Sequence, residues 1–230
     1  MDRVLEPELM DDEQQAVAYA RADFSASNQF FVDGLIRDVH EHLHATVDIG
    51  CGPGDVVTRL ARAAPHIHVT AVDGSEPMIA LAREAVRAAG LDDRITLMQA
   101  RVPGLPLEDH SFDAVLSKDL LHHLPDPAVL WREVIRLGKP GAAVHVMDLV
   151  RPETPEAARE IVETVAGNED PILKQDFYNS LCAAFTVDEV RGQLAAAGLN
   201  LEVEKVGERH LLVRRREGAR VRGWARMMPR

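Results

Sequence analysis

Cysteine is scarce in this chain: 230 residues hold two, Cys51 and Cys182, far apart in sequence. That excludes a disulfide framework and fits a reducing compartment. No Cys/His cluster has the spacing of a structural metal site, so no metal is expected. No apolar run approaches the length of a membrane span, and no basic segment followed by an apolar stretch marks a leader. A cytoplasmic location without a membrane partner is the expectation. Net positive charge is also lacking: at −11, broad binding to nucleic acid or an anionic membrane is disfavoured. Internal repeats and low-complexity tracts are absent.

What remains is ordinary for a globular protein, 46% hydrophobic and 27% charged. The length suits one domain, 1–214, with a cap or insertion. Beyond it, 215–230 is a basic tail carrying Arg215, Arg216, Arg220, Arg222, Arg226 and Arg230. Such a tail reads as an anion-binding or self-association element, or as a solvated terminus. Residues 1–40 read as a helical cap, with one helix through Gln14–Arg21 and a second apolar set at Phe24, Phe30, Phe31, Leu35 and Ile36. From Ala45 short apolar runs alternate with amphipathic stretches. Strands are expected at Ala45–Ile49, His68–Asp73, Ile95–Gln99, Ala114–Ser117 and Ala143–Leu149. Helices are expected at Val56–Ala64, Pro77–Ala89 and Ala128–Leu137. That alternation implies a parallel sheet with right-handed crossovers. Residues 151–182 read as a helical lid insertion, with helices at Pro155–Ala166 and Asp170–Ala184. Helix Val187–Ala197 stops at Gly198, and Leu201–Val206 pairs with His210–Arg214 as a late hairpin.

The most informative stretch is Val47-Asp48-Ile49-Gly50-Cys51-Gly52-Pro53-Gly54-Asp55. A strand ending in such a turn brings bare backbone against a ligand. The following helix adds unpaired N–H groups and a positive dipole end. The spacing Gly50-x-Gly52-x-Gly54 is not the dinucleotide fingerprint G-x-G-x-x-G. Asp48 ahead of it would repel a pyrophosphate and attract an ammonium group. Asp73 ends the next strand about twenty residues on, where a carboxylate can chelate a ribose diol.

These residues resemble the first two motifs of the class I S-adenosylmethionine-dependent methyltransferases, small-molecule (ubiquinone-biosynthesis-like) type. Ser111–Ser117 resembles that family's fourth-strand motif, and Leu137-Gly138-Lys139-Pro140-Gly141-Ala142 its turn into the fifth strand. The resemblance is close over about Ala45–Asp148 and loose elsewhere. It implies an α/β fold with a Rossmann-like, mostly parallel sheet, an antiparallel C-terminal hairpin, helices on both faces and a helical cap. It implies S-adenosyl-L-methionine as cofactor and S-adenosyl-L-homocysteine as product. The implied cofactor-binding residues are Asp48, Gly50, Cys51, Gly52, Gly54, Asp73, Gly74, Met78, Arg101, Val102, Ser117 and Lys118. One position departs. Ala100-Arg101 stands where family members commonly have Gly-Asp, and arginine offers no acceptor to the adenine amine.

Methyl transfer to a hydroxyl needs alignment and a base. His122 and His123 follow the fourth strand, at the rim where open α/β sheets bind ligands. Asp148 ends the fifth, so His122 is expected as base with Asp148 orienting it. Tyr19, His123, Arg151, Tyr178 and Asn179 are the expected acceptor-binding residues, because insertions near that rim commonly define the acceptor pocket. No Asn-Pro-Pro-Tyr element follows the fourth strand, which disfavours adenine or glutamine-amide methylation. The expectation is methylation of a small molecule, oxygen favoured, by a monomer or homodimer. RNA or protein methylation, or a non-catalytic cofactor-binding regulator, are the rival readings.

Overall fold

The computed structural model describes residues 1–6, 10–38 and 44–215. Seven strands form one sheet in the order β3-β2-β1-β4-β5-β7-β6. They are β1 (Ala45–Ile49), β2 (His68–Asp73), β3 (Ile95–Gln99), β4 (Phe112–Lys118), β5 (Gly138–Leu149), β6 (Glu202–Val206) and β7 (His210–Arg214). The first five run parallel, while β7 lies antiparallel between β5 and β6. Strand β1 pairs with both β2 and β4, so the order reverses there. The crevice at its carboxyl end is where open α/β sheets take ligands.

Crossover helices cover both faces, which is why the inner strands read as continuous apolar runs. Helices α2 (Ser25–Asp38), α3 (Asp55–Ala63) and α4 (Glu76–Ala89) flank one buried cluster containing Phe31, Leu60, Ile79 and Leu116. Helices α5 (Ala128–Leu137) and α8 (Val187–Ala196) close the other, with Trp131, Leu137, Val146 and Leu194. Local signals set the ends. Ser75 caps α4 by accepting from the Met78 N–H, and Gly90 stops it at φ 66°. Thr186 and Glu189 form a reciprocal capping box on α8.

The expected strand and helix positions hold to within a few residues, with one larger difference. Strand β5 begins at Gly138, not Ala143, because Gly138 pairs with Phe112 and the register shift between Phe112 and Ala114 absorbs the irregularity. The turn expected at 138–142 is therefore a distorted strand. Helix α1 (Glu13–Arg21) packs on α4 and α7, and α6 (Pro155–Ala166) packs on α7 (Pro171–Ala183). Among the described residues no helix is long and apolar enough to cross a membrane. The arginine tail from Arg216 onward lies outside the described residues.

Candidate functional site

The loop after β1 carries the glycines. Gly50 takes φ 84°, and a Cβ there would stand 3.0 Å from that of Leu120. The Gly50 and Cys51 amides donate to the Val72 carbonyl at 2.7 and 2.9 Å, pinning the loop to the end of β2. Asp73 completes the turn: Oδ2 accepts the Gly52 N–H at 2.8 Å and Oδ1 the Ser75 N–H at 2.9 Å. Burial pushes its carboxyl up, opposed by these backbone donors.

Beside this loop lies a cavity of about 300 Å³. Gly50, Gly52, Asp73, Gly74, Met78, Arg101, Val102 and Lys118 all border it. Asp48 and Cys51 border an adjoining groove of about 560 Å³ against α3. Asp48 is buried, and its Oδ1 has no hydrogen-bond partner. Burial and the neighbouring Asp73 push its carboxyl up to about 7, with Lys118 opposing. An orphaned buried carboxylate oxygen, a glycine cradle that a side chain would fill and a strand-end Asp73 fit the parts of S-adenosylmethionine. They would take the ammonium, the chain approaching the loop and the ribose, in that order.

Two expected cofactor residues border neither cavity. Gly54 starts α3 at φ 84°, and a Cβ there would meet Ala82 at 3.1 Å, so its role is helix packing. The Ser117 hydroxyl donates to the Ile49 carbonyl at 2.8 Å and ties β4 to β1. Arg101 borders the cavity but is engaged with Asp11 at 2.9 Å and with the Gly74 carbonyl.

A third cavity, about 130 Å³, lies between α1, the loop after β4, α6 and α7. Tyr19 and Asp119 border all three spaces and mark where they meet. His122 borders the third, and its Nδ1 lies 2.7 Å from Asp148 Oδ1. Asp148 is held in turn by the Leu121 and Leu149 amides at 2.7 and 2.8 Å. Burial pushes the His122 imidazole down, but Asp148 outweighs it and the net direction is up. His123 stacks on His122 at 4.0 Å; burial and that neighbour hold it well below the usual histidine range.

Three expected acceptor residues stand elsewhere. Arg151 binds the Ala184 carbonyl at 2.9 Å and Glu189 at 2.6 Å, securing the start of α8. Tyr178 lies against the Arg159 guanidinium, 5.4 Å from ring centre to carbon, and packs on the α6–α7 cluster. Asn179 accepts from Gln175 along the exposed side of α7. Helical rotation of about 100° per residue explains this. Leu173, Asp176, Phe177 and Ser180 form the stripe that faces the cavity, and 178 and 179 turn away from it. Asp119 was missed from sequence. Burial pushes its carboxyl up, but the Lys118 ammonium bonded to it holds it at about 2. The adjacent Lys-Asp pair closing an apolar strand was the available signal.

Residues 47–146 match the sequence family described as "Methyltransferase domain". The chain is 30% identical over 156 residues to 27-O-demethylrifamycin SV methyltransferase of Amycolatopsis mediterranei, covering 68% of this chain and 54% of that protein. It is 36% identical over 110 residues to demethylmenaquinone methyltransferase of Porphyromonas gingivalis, covering 47% and 45%. The chain thus spans about half the length of these relatives. A solved SAM-dependent methyltransferase from Aquifex aeolicus superposes with TM-score 0.67 at 21% identity, over 88% of this chain and 97% of that one, which speaks to the fold. With the loop, the strand-end acid and the sheet order all in place, residues 47–146 of this chain form a methyltransferase domain, on the fold of the S-adenosylmethionine-dependent methyltransferases.

Proposed function

We propose that this protein methylates a hydroxyl of a small-molecule acceptor. One observation carries the reading: the buried His122–Asp148 pair opens on a cavity that meets the cofactor space at Tyr19 and Asp119. When bound, S-adenosylmethionine supplies an electrophilic sulfonium methyl and leaves as S-adenosylhomocysteine. The Gly50–Gly52 backbone would admit it, Asp73 would receive the ribose hydroxyls, and Asp48 would pair with the ammonium.

The remaining work is proton removal. Asp148 fixes the Nδ1–H tautomer of His122, so Nε2 is the atom that accepts the acceptor's hydroxyl proton. The two amides on Asp148 hold that carboxylate in place against the ring, where it stabilises the imidazolium that forms. The name of the rifamycin relative specifies an oxygen position, which supports oxygen as acceptor atom here. A cavity of about 130 Å³ suits a small group in preference to an RNA or a folded protein.

His122→Ala is expected to lower kcat by about 10²–10⁴-fold with unchanged affinity for S-adenosylhomocysteine. Adding Asp148→Asn is expected to cost little more, because the two act as one unit. Near-normal turnover in folded His122→Ala, assayed on phenolic and aliphatic hydroxyl acceptors, would remove the base from the reading.

A further inference from the structure

Beside the His122–Asp148 pair stands a second group with its own chemistry. Glu6, His122 and His123 each place one donor atom within 4.8 Å of the others. His122 Nδ1 is taken by Asp148, which leaves Nε2 as its donor. A carboxylate on the far ring nitrogen is the usual way a metal-bound histidine is oriented. His123 Nδ1 lies 3.5 Å from Glu6 Oε2 without the geometry of a hydrogen bond. The Glu6 side chain is 2% exposed and is steadied by the Ser180 hydroxyl at 2.9 Å.

We propose that Glu6, His122 and His123 form a binding site for one divalent transition-metal ion, and that its occupancy suppresses methyl transfer. Two imidazoles and a carboxylate suit zinc, cobalt or nickel better than magnesium or calcium. Bonds of about 2.0–2.1 Å put tetrahedral ligands roughly 3.3–3.4 Å apart. The Glu6–His123 pair already has that spacing at 3.5 Å. Three protein ligands leave a coordination position open, and both histidines border the acceptor cavity, so that position faces the acceptor. The suppression rests on the base reading above. A cation on Nε2 occupies the lone pair that would take the proton, so metal and proton exclude each other there.

The test uses the full chain, stripped with chelator and titrated with cobalt(II) alone. One equivalent is expected to produce the visible bands of a four- or five-coordinate ion, which zinc(II) then displaces. Glu6→Gln retains an acceptor for Ser180 and lies outside the base and the cavity walls. With circular dichroism unchanged, it is expected to weaken cobalt binding by about tenfold or more. His123→Asn is expected to weaken it likewise. In transfer assays, stoichiometric zinc(II) is expected to suppress the wild type, chelator to restore it, and Glu6→Gln to remain active in its presence. A spectrum of the six-coordinate aqueous ion, or wild-type affinity in both folded variants, overturns the site. Full transfer by the zinc-loaded wild type overturns the suppression. The cobalt spectrum requires no acceptor, so it stands or falls separately from the proposed reaction.

Discussion

Asp48 couples a single side chain to pH. Its folded-state carboxyl, at about 7, stands above its ordinary value of 3.8. A raised carboxyl contributes stability that is complete below the unfolded value, and that stability is lost as pH rises through the folded one. Between roughly pH 4 and 7 the unfolded chain is ionised at this position while the folded chain holds the proton. Urea midpoints are therefore expected to fall across that window, and Asp48→Asn to flatten the fall. A ligand ammonium near Asp48 favours the carboxylate, so S-adenosylhomocysteine affinity should rise with pH up to about 7. Calorimetry in buffers of different ionisation enthalpy should show proton release on binding; no release would separate Asp48 from the ammonium. Residues of this kind were legible because they sit inside one contiguous motif. Glu6 and Asp119 were not, since their partners come from the far side of the fold or depend on a backbone turn at φ 56°.

At the scale of the element, the glycine loop separates two costs that sequence alone merges. Gly52 takes φ 53° with open space around a prospective Cβ, whereas Gly54 takes φ 84° with the Ala82 Cα at 3.2 Å. Gly52→Ala is expected to cost about 1–2 kcal/mol of left-handed strain. Gly54→Ala should cost more, because α3 and α4 must also separate. Urea denaturation of the two variants compares them directly. Helix α7 offers a second contrast. Phe177→Ala should raise the acceptor KM with cofactor affinity kept, the signature of lost uniform binding. Tyr178→Ala should lower stability and leave KM alone; the reverse outcome would turn α7 over. The existence and approximate bounds of both helices could be read from periodicity, caps and prolines. Which face of α7 meets the acceptor could not, because its apolar residues do not form one clear stripe and its polar residues drew attention to the wrong side. The start of β5 was hidden for a related reason. Gly138 and Gly141 look like a turn until Phe112 is known to pair with Gly138.

Across the whole molecule, the amino-terminal segment fastens the two binding spaces together. The Met10 carbonyl accepts from the Ser75 hydroxyl at 2.7 Å, and Asp11 meets Arg101 at 2.9 Å, both beside the cofactor cavity. Arg3 donates to the carbonyls of His122, Leu124 and Ala183 and stacks on Phe185 at 3.9 Å. S-adenosylhomocysteine at a hundredfold excess over its Kd is expected to add about 2.7 kcal/mol of stability. Hydrogen exchange should slow over residues 10–22 as well as over the glycine loop. Protection confined to the loop would mean that α1 does not close on the cofactor.

The meeting of the three spaces at Tyr19 and Asp119 bears on how such a protein changes over time. The cofactor walls come mainly from the ends of β1, β2 and β4, the loops after β1 to β4 and the start of α4, while α1, α6 and α7 supply a separate part of the wall around the third cavity. Those helices lie outside the sheet, so their inner faces can be rewritten without disturbing the glycine loop or Asp73. Only substitutions at the shared wall must satisfy two ligands at once. Selection for a new acceptor should therefore accumulate in α6 and α7 and spare Tyr19 and Asp119. A library confined to the Leu173–Ser180 stripe is the economical place to begin redirecting the enzyme.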